Sequence, residues 1–216
     1  MNRHMSGAAQ PGAAEGQEDV LVLTVPGLNN SGPEHWQSLW EQQRGDCLRV
    51  ELGQWDRPHR NSWVNNLNLA IRAAEGPVYL AAHSLGCLAV AWWAQMEPKA
   101  AQLVAGALLV APPEVDFTPE DPRLVGFSPT PCAPLPFPSV LVASSNDPYM
   151  DAHAARYLAR MWGAEFVNVG RMGHINACSQ IGDWPQGQAL LDGLIAQGQR
   201  LRARQTTTSQ GWAARP

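Results

Sequence analysis

The stretch Val78-Tyr79-Leu80-Ala81-Ala82-His83-Ser84-Leu85-Gly86-Cys87-Leu88-Ala89-Val90 decides the fold of this chain. Val78 to Ala82 is an apolar run of strand length. A helix follows from about Gly86 to Met96 with almost no linker. Ser84 therefore stands on a sharp turn between strand and helix. Such a turn strains the serine backbone and lifts its hydroxyl above the sheet, and it needs small residues two before and two after. Gly86 meets that need; Ala82 stands where a glycine is more usual and is the next smallest side chain.

Working outward, the same alternation repeats. Val20 to Val25 is a continuous β-branched run suited to a strand buried on both faces, ended by Pro26 and Gly27. Glu34 to Gln43 reads as a helix, with Pro33 just before it. Leu48 to Leu52 is a short strand, and Asn61 or Ser62 caps a helix that reaches about Ala74. Leu103 to Val110, Ser139 to Ala143 and Glu165 to Val169 are further strands. Asp151 to Trp162 and about Trp184 to Arg204 are helical. This order predicts an α/β fold: a mainly parallel sheet of about six strands with helices on both faces, forming one domain over residues 20–203. Residues 1–19 and 204–216 are expected to be disordered tails.

Composition removes several function classes. The chain has 216 residues and a net charge of −4. Lys99 is its single lysine, and the arginines form no dense run, so a nucleic-acid footprint is missing. No apolar run approaches the ~18–20 residues of a membrane span, and the N-terminal stretch has no apolar signal core. A cytoplasmic location is expected. The four cysteines, Cys47, Cys87, Cys132 and Cys178, lie too far apart for a zinc ribbon or redox pair and read as idle thiols. No metal-ligand spacing and no glycine-rich phosphate loop stands out, so neither metal nor cofactor is expected.

The chemistry is expected at the carboxyl ends of the strands. A serine hydroxyl needs a base to become a nucleophile. His174, in a glycine-flanked loop after the last strand, is the candidate for Ser84. His4, His59, His83 and His153 read as structural or surface residues. Asp147, after the fifth strand, is the acid that would orient His174, in the chain order Ser, Asp, His. Asp116, Asp121 and Asp183 fit less well. An oxyanion needs two main-chain donors; Leu85 follows the serine, and Leu28 lies in the loop after the first strand. Asn29, Asn30, His35, Trp36 and Trp55 are expected in the substrate pocket.

Prolines crowd one segment: nine of 18 fall between Pro112 and Pro138. That density excludes a regular element. The segment leaves the fourth strand on the chemical side of the sheet. It is expected to act as an ordered strap at the rim of a shallow, open site.

The stretches VPGLNNSGPEHWQSLWE (25–41), AHSLG (82–86), SSNDPY (144–149) and GHIN (173–176) together resemble the small serine hydrolases related to retinoblastoma-binding protein 9. GPEHWQ is most similar to their bacterial branch, and the resemblance spans about Val20 to Leu201. It implies a compact α/β-hydrolase fold without a cap domain, with Ser84, Asp147 and His174 in the family's triad positions. It also implies esterase- or peptidase-like hydrolysis of a small-molecule or peptide acyl substrate. Two alternatives stay open: acyl transfer to an acceptor other than water, and a non-catalytic interaction module that keeps the fold. The pattern carries no signal for an oligomeric state.

Overall fold

A computed structural model describes the backbone of residues 20–213 and the side chains of residues 20–204. Six strands form one parallel sheet: β1 (Leu21–Val25), β2 (Cys47–Arg49), β3 (Val78–His83), β4 (Val104–Val110), β5 (Ser139–Ala143) and β6 (Glu165–Asn168). Their spatial order is β2-β1-β3-β4-β5-β6. β3, which carries Ser84 at its end, is thus central, between β1 and β4. The fold is α/β with helices on both faces and no cap domain.

Strand residues alternate in direction, and this splits the core into two layers. Leu23, Val25, Leu80, Ala82, Leu109 and Leu141 face one side. There they meet α2 (Arg60–Arg72), α3 (Leu85–Met96) and α5 (Ala152–Trp162), through residues such as Trp63, Leu67, Leu88 and Trp162. Val22, Tyr79, Ala81, Leu108, Val110 and Val142 face the other, against α1 (Trp36–Gln43) and the long α6 (Pro185–Ala213). With both faces covered, β3 to β5 are almost wholly apolar and buried, as their composition predicts.

Differences from the sequence reading are local. The first helix starts at Trp36 rather than Glu34, because the His35 imidazole caps it by accepting the Gln37 main-chain N–H. β2 ends at Arg49, since beyond it only the Val50 N–H still reaches β1, at Thr24. A short helix, α4 (Ala100–Leu103), leads into β4. The proline-rich strap is not wholly irregular: Pro122–Phe127 forms a 3-10 helix whose cap, Asp121, accepts the Arg123 N–H. The tail expected from residue 204 is helical as far as Ala213, an extension of α6, because each added helical residue gains one main-chain bond. The expected tail at 1–19 and the last residues, 214–216, lie outside the described residues. Among the described residues no helix is long and apolar enough to cross a membrane.

Candidate active site

Ser84 follows β3 directly and has φ 54° and ψ −126°, a conformation that non-glycine residues rarely adopt. Its N–H is held by the carbonyl of Val110 at the end of β4, and its carbonyl accepts the Cys87 N–H that opens α3. This is how the sharp turn resists relaxing: the strain is over-determined by its surroundings. Gly86 is required because a Cβ there would stand 2.2 Å from the Val25 carbonyl oxygen. Gly27 answers it from the β1 side: a Cβ there would lie 2.8 Å from Ser84 Cβ. Strand β1, its following loop and the serine turn are therefore in contact with no side chain between them.

The end of β5 and the end of β6 bring two further groups to the serine. His174 Nε2 lies 2.9 Å from Ser84 Oγ. His174 Nδ1 lies 2.9 Å from both carboxylate oxygens of Asp147. The Asp147 side chain is 3% exposed and that of His174 9%, so this chain of contacts is shielded along its length, while Ser84 keeps 7% exposure to the cleft. With Nδ1–H donating to the carboxylate, Nε2 is left as an acceptor for the serine proton. The arrangement can thus activate a hydroxyl and stabilise the imidazolium that results.

Several supporting groups were not singled out from sequence. Ser144 and Asn146, beside Asp147, tie the acid loop to the histidine loop. Ser144 Oγ accepts the Met172 N–H and Asn146 Oδ1 accepts the Gly173 N–H, each at 2.9 Å. His83 donates Nε2–H to the main-chain oxygen of His174 at 2.9 Å. Tyr149 rests its ring on the imidazole of His174, with centroids 4.2 Å apart. Gln37, buried, donates to the Ala81 carbonyl and accepts from Ser31 Oγ, fixing the loop after β1 to the sheet. Only SSNDPY, as a cluster of polar residues beside the acid, signalled part of this in the sequence.

A cleft of about 190 Å³ opens over the serine. Leu28, Asn29, Asn30, His35, Ser84 and His174 line it, as does the strap through Asp121, Arg123 and Leu124. The N–H groups of Leu28 and Leu85 have no acceptor among the described residues. Trp36 and Trp55 do not line the cleft. Trp36 is fully buried in the layer beneath α1, packed on Trp40 and Trp184, and its Nε1–H donates to the Ile175 carbonyl. Being next to the helix cap turns it inward, toward the sheet. Trp55 packs edge-on against Trp63, and only its carbonyl approaches the site, accepting the Asn29 N–H. The strap forms a wall rather than a distant rim: Arg123 is held by Asp121 and reaches across to Asn29 Oδ1 and the Asp56 carbonyl. The cleft reaches Ser84, which keeps 7% exposure.

His35 and His83 are held neutral. Burial, then the charge of Arg49 and the nearness of His174, lower the His35 pKa to about 3. Burial does the same to His83, well below its ordinary value, helped by His35 and His174. The four cysteines are free thiols, with Cys47 and Cys87 buried and Cys132 and Cys178 exposed. Among the described residues no group of three or more His, Cys, Asp or Glu side chains is gathered as a metal site.

Comparison with known proteins agrees with this architecture. A protein of Pectobacterium atrosepticum described as a YdeN-like hydrolase is 32% identical. The match covers 83% of this chain and 89% of that one, with a TM-score of 0.70. The ydeN gene product of Bacillus subtilis is 21% identical over 82% of this chain and 98% of its own, with a TM-score of 0.66. A monoacylglycerol lipase of Paleococcus ferrophilus shares the fold at 13% identity and a TM-score of 0.63, over 82% of this chain and 94% of its own. No curated protein matches the chain. The model of the family described as "Serine hydrolase" matches residues 22–193, which takes in the whole sheet but for Leu21, the first residue of β1. The chain belongs to this serine hydrolase family, on an α/β-hydrolase fold.

Proposed function

We propose that this protein hydrolyses an ester or amide through an acyl-enzyme on Ser84. The observation that carries the reading is the unbroken run of 2.9 Å contacts from Ser84 Oγ through His174 to Asp147. Ser84 Oγ attacks the carbonyl carbon while its proton passes to His174 Nε2. The carbonyl π electrons move to the oxygen, which the N–H groups of Leu28 and Leu85 stabilise. The intermediate collapses, the leaving group departs with the proton from Nε2, and the acyl group stays on Ser84. A water molecule, deprotonated by His174 Nε2, then attacks the acyl carbon; the bond to Ser84 Oγ breaks as Nε2 returns the proton to that oxygen, and the acid leaves. Asp147 keeps the imidazole in the tautomer this requires.

The cleft volume points to the substrate class. About 190 Å³ bounded by Leu28, Leu124 and Arg123 fits a short acyl group, and a second hollow of about 430 Å³ that shares Tyr149, His174 and Asn176 leaves room for the rest of the substrate. The grouping near the retinoblastoma-binding protein 9-like hydrolases, a cytoplasmic location, action on a small-molecule or peptide substrate without nucleic acid or membrane, and catalysis without a cofactor are parts of the same proposal. The test is fluorophosphonate labelling together with a panel of p-nitrophenyl esters and aminoacyl amides. The wild type should label on Ser84 and turn over short esters, and Ser84→Ala should do neither. A wild type that does not label, or a Ser84→Ala variant that labels equally, overturns the reading.

A further inference from the structure

Tyr149 occupies a place that the Ser84–His174–Asp147 chain does not account for. It follows the acid by two residues, and its main-chain N–H donates to Asp147 Oδ1 at 2.9 Å. From there its ring lies against the imidazole of His174, with centroids 4.2 Å apart and planes tilted by 37°. The in-plane nitrogens of His174 are engaged by Asp147 and Ser84, so these hydrogen bonds fix the ring's ends but not its face. Tyr149 supplies the contact on that face. The ring of His83 approaches edge-on at 4.9 Å, and its Nε2–H is directed to the His174 carbonyl. Tyr149 Oη makes no hydrogen bond among the described residues, so the aromatic face is what the site engages.

We propose that Tyr149 is a positioning residue for His174. Its π face keeps the imidazole in line with Ser84 and stabilises the imidazolium formed when Ser84 loses its proton. The proposal rests on the triad reading above. An aromatic face within ~6 Å of a cation attracts it through the ring quadrupole, and the attraction grows as water is excluded. On the alkaline side of the acidic limb the cation forms only along the reaction, so there the interaction accelerates the reaction rather than tightening ground-state binding, while at lower pH the same contact favours the protonated resting imidazole.

The groups facing His174 are Asp147 from the β5–α5 loop, His83 from β3 and the neutral His35 from the β1–α1 loop. Glu120, Asp121 and Arg123 of the strap act on Tyr149 itself. All of these stay in place when only position 149 changes, so a difference between variants reads the ring.

The experiment measures p-nitrophenyl acetate hydrolysis against pH for wild type, Tyr149→Phe, Tyr149→Leu and Tyr149→3,4,5-trifluorophenylalanine. Tyr149→Phe should keep kcat within about 2-fold and leave the acidic limb of the profile in place. Tyr149→Leu should lower kcat about 10-fold with little change in KM and move the acidic limb to lower pH. The trifluorinated ring has nearly the shape of phenylalanine but an electron-poor face. It should move the limb in the same direction, so a leucine variant that does not fold leaves the test intact. An unmoved limb in the trifluorinated variant overturns the proposal even if kcat falls, as does a phenylalanine variant as impaired as leucine. A wild type whose Ser84 neither labels nor turns over ester overturns the triad reading along with this one. Ser84-dependent turnover with an unmoved limb overturns this one alone.

Discussion

The imidazole of His83 donates Nε2–H to the main-chain oxygen of His174 at 2.9 Å, so the residue before the serine holds the backbone of the histidine that serves it. His83 ends β3 and His174 lies 91 residues later, in the loop after β6, and this bond registers one against the other. Replacing His83 by alanine should therefore act on geometry rather than on substrate affinity. We expect His83→Ala to lower kcat about 10- to 100-fold with KM nearly unchanged, since small misplacements in a site cost rates of that order. Steady-state kinetics on a short ester checks this; a large rise in KM with kcat intact would refute it.

The neutral histidines make the fold acid-sensitive. His35 is lowered to about 3 and His83 lies well below its ordinary value, whereas both titrate near 6.5 in the unfolded chain. Below about pH 6.5 the unfolded state therefore binds more protons than the folded one. The stability from these two residues is complete above that pH and is lost progressively as pH falls from about 6.5 toward 3. Urea midpoints measured across this range should fall with pH, and His35→Gln should make the fall shallower. A slope the same in both proteins would show that His35 does not titrate this way.

The Asp147 carboxylate accepts from His174 Nδ1–H with both oxygens at 2.9 Å. An amide in its place turns a donor toward Nδ1 and selects the wrong tautomer. Asp147→Asn should drop kcat about 10⁴-fold while the protein stays folded. Circular dichroism and esterase rates together check it, and a loss below tenfold would move the acid's role elsewhere.

Gly86 leaves no space for a methyl group, because a Cβ would meet the Val25 and Pro26 carbonyl oxygens at 2.2 and 2.6 Å. Backbone on the central sheet cannot move aside cheaply. Gly86→Ala should destabilise by about 3 kcal/mol or more, a melting-point loss of roughly 6–12 °C for a chain of this size. Gly32→Ala is the control, since nothing lies within 4 Å of a Cβ there. Thermal melts that rank the two equally would contradict the crowding argument.

Arg123 bolts the strap to the loop after β1 through Asn29 and to the loop between β2 and α2 through the Asp56 carbonyl. With those bonds gone, the wall containing Leu124 is free to shift and the cleft to lengthen. Arg123→Ala should raise hexanoate over acetate preference in kcat/KM by about 10-fold, in the range that single methylenes command in apolar pockets. An unchanged chain-length profile would mean that the strap does not set acyl size.

The sheet and the three central residues were legible because each has a local signature. Apolar runs of strand length between helices name a parallel sheet, and a serine at a strand-to-helix turn needs only its neighbours Ala82 and Gly86 to be recognised. Asp147 and His174 follow from chain order and from their places after strands. The pocket was less legible. Asn29, Asn30 and His35 reach the cleft, yet Trp36, adjacent to His35, is buried in the opposite layer. His35 is the extended cap residue and Trp36 the first helical one, so one step in sequence separates cleft from core.

By itself, then, the sequence determined the layers of the fold and marked Ser84, Asp147 and His174 as candidates that the structure brings within hydrogen-bond distance, because those depend on periodicity and on contacts between near neighbours. The tertiary structure alone decided what surrounds them: Tyr149 on the face of His174, His83 under its carbonyl, Arg123 drawing the strap against Asn29. These contacts join residues brought together only when β1, β3, β5 and β6 align their carboxyl ends. No periodicity encodes which side chains meet there, since their distance along the chain carries no information about their distance in space.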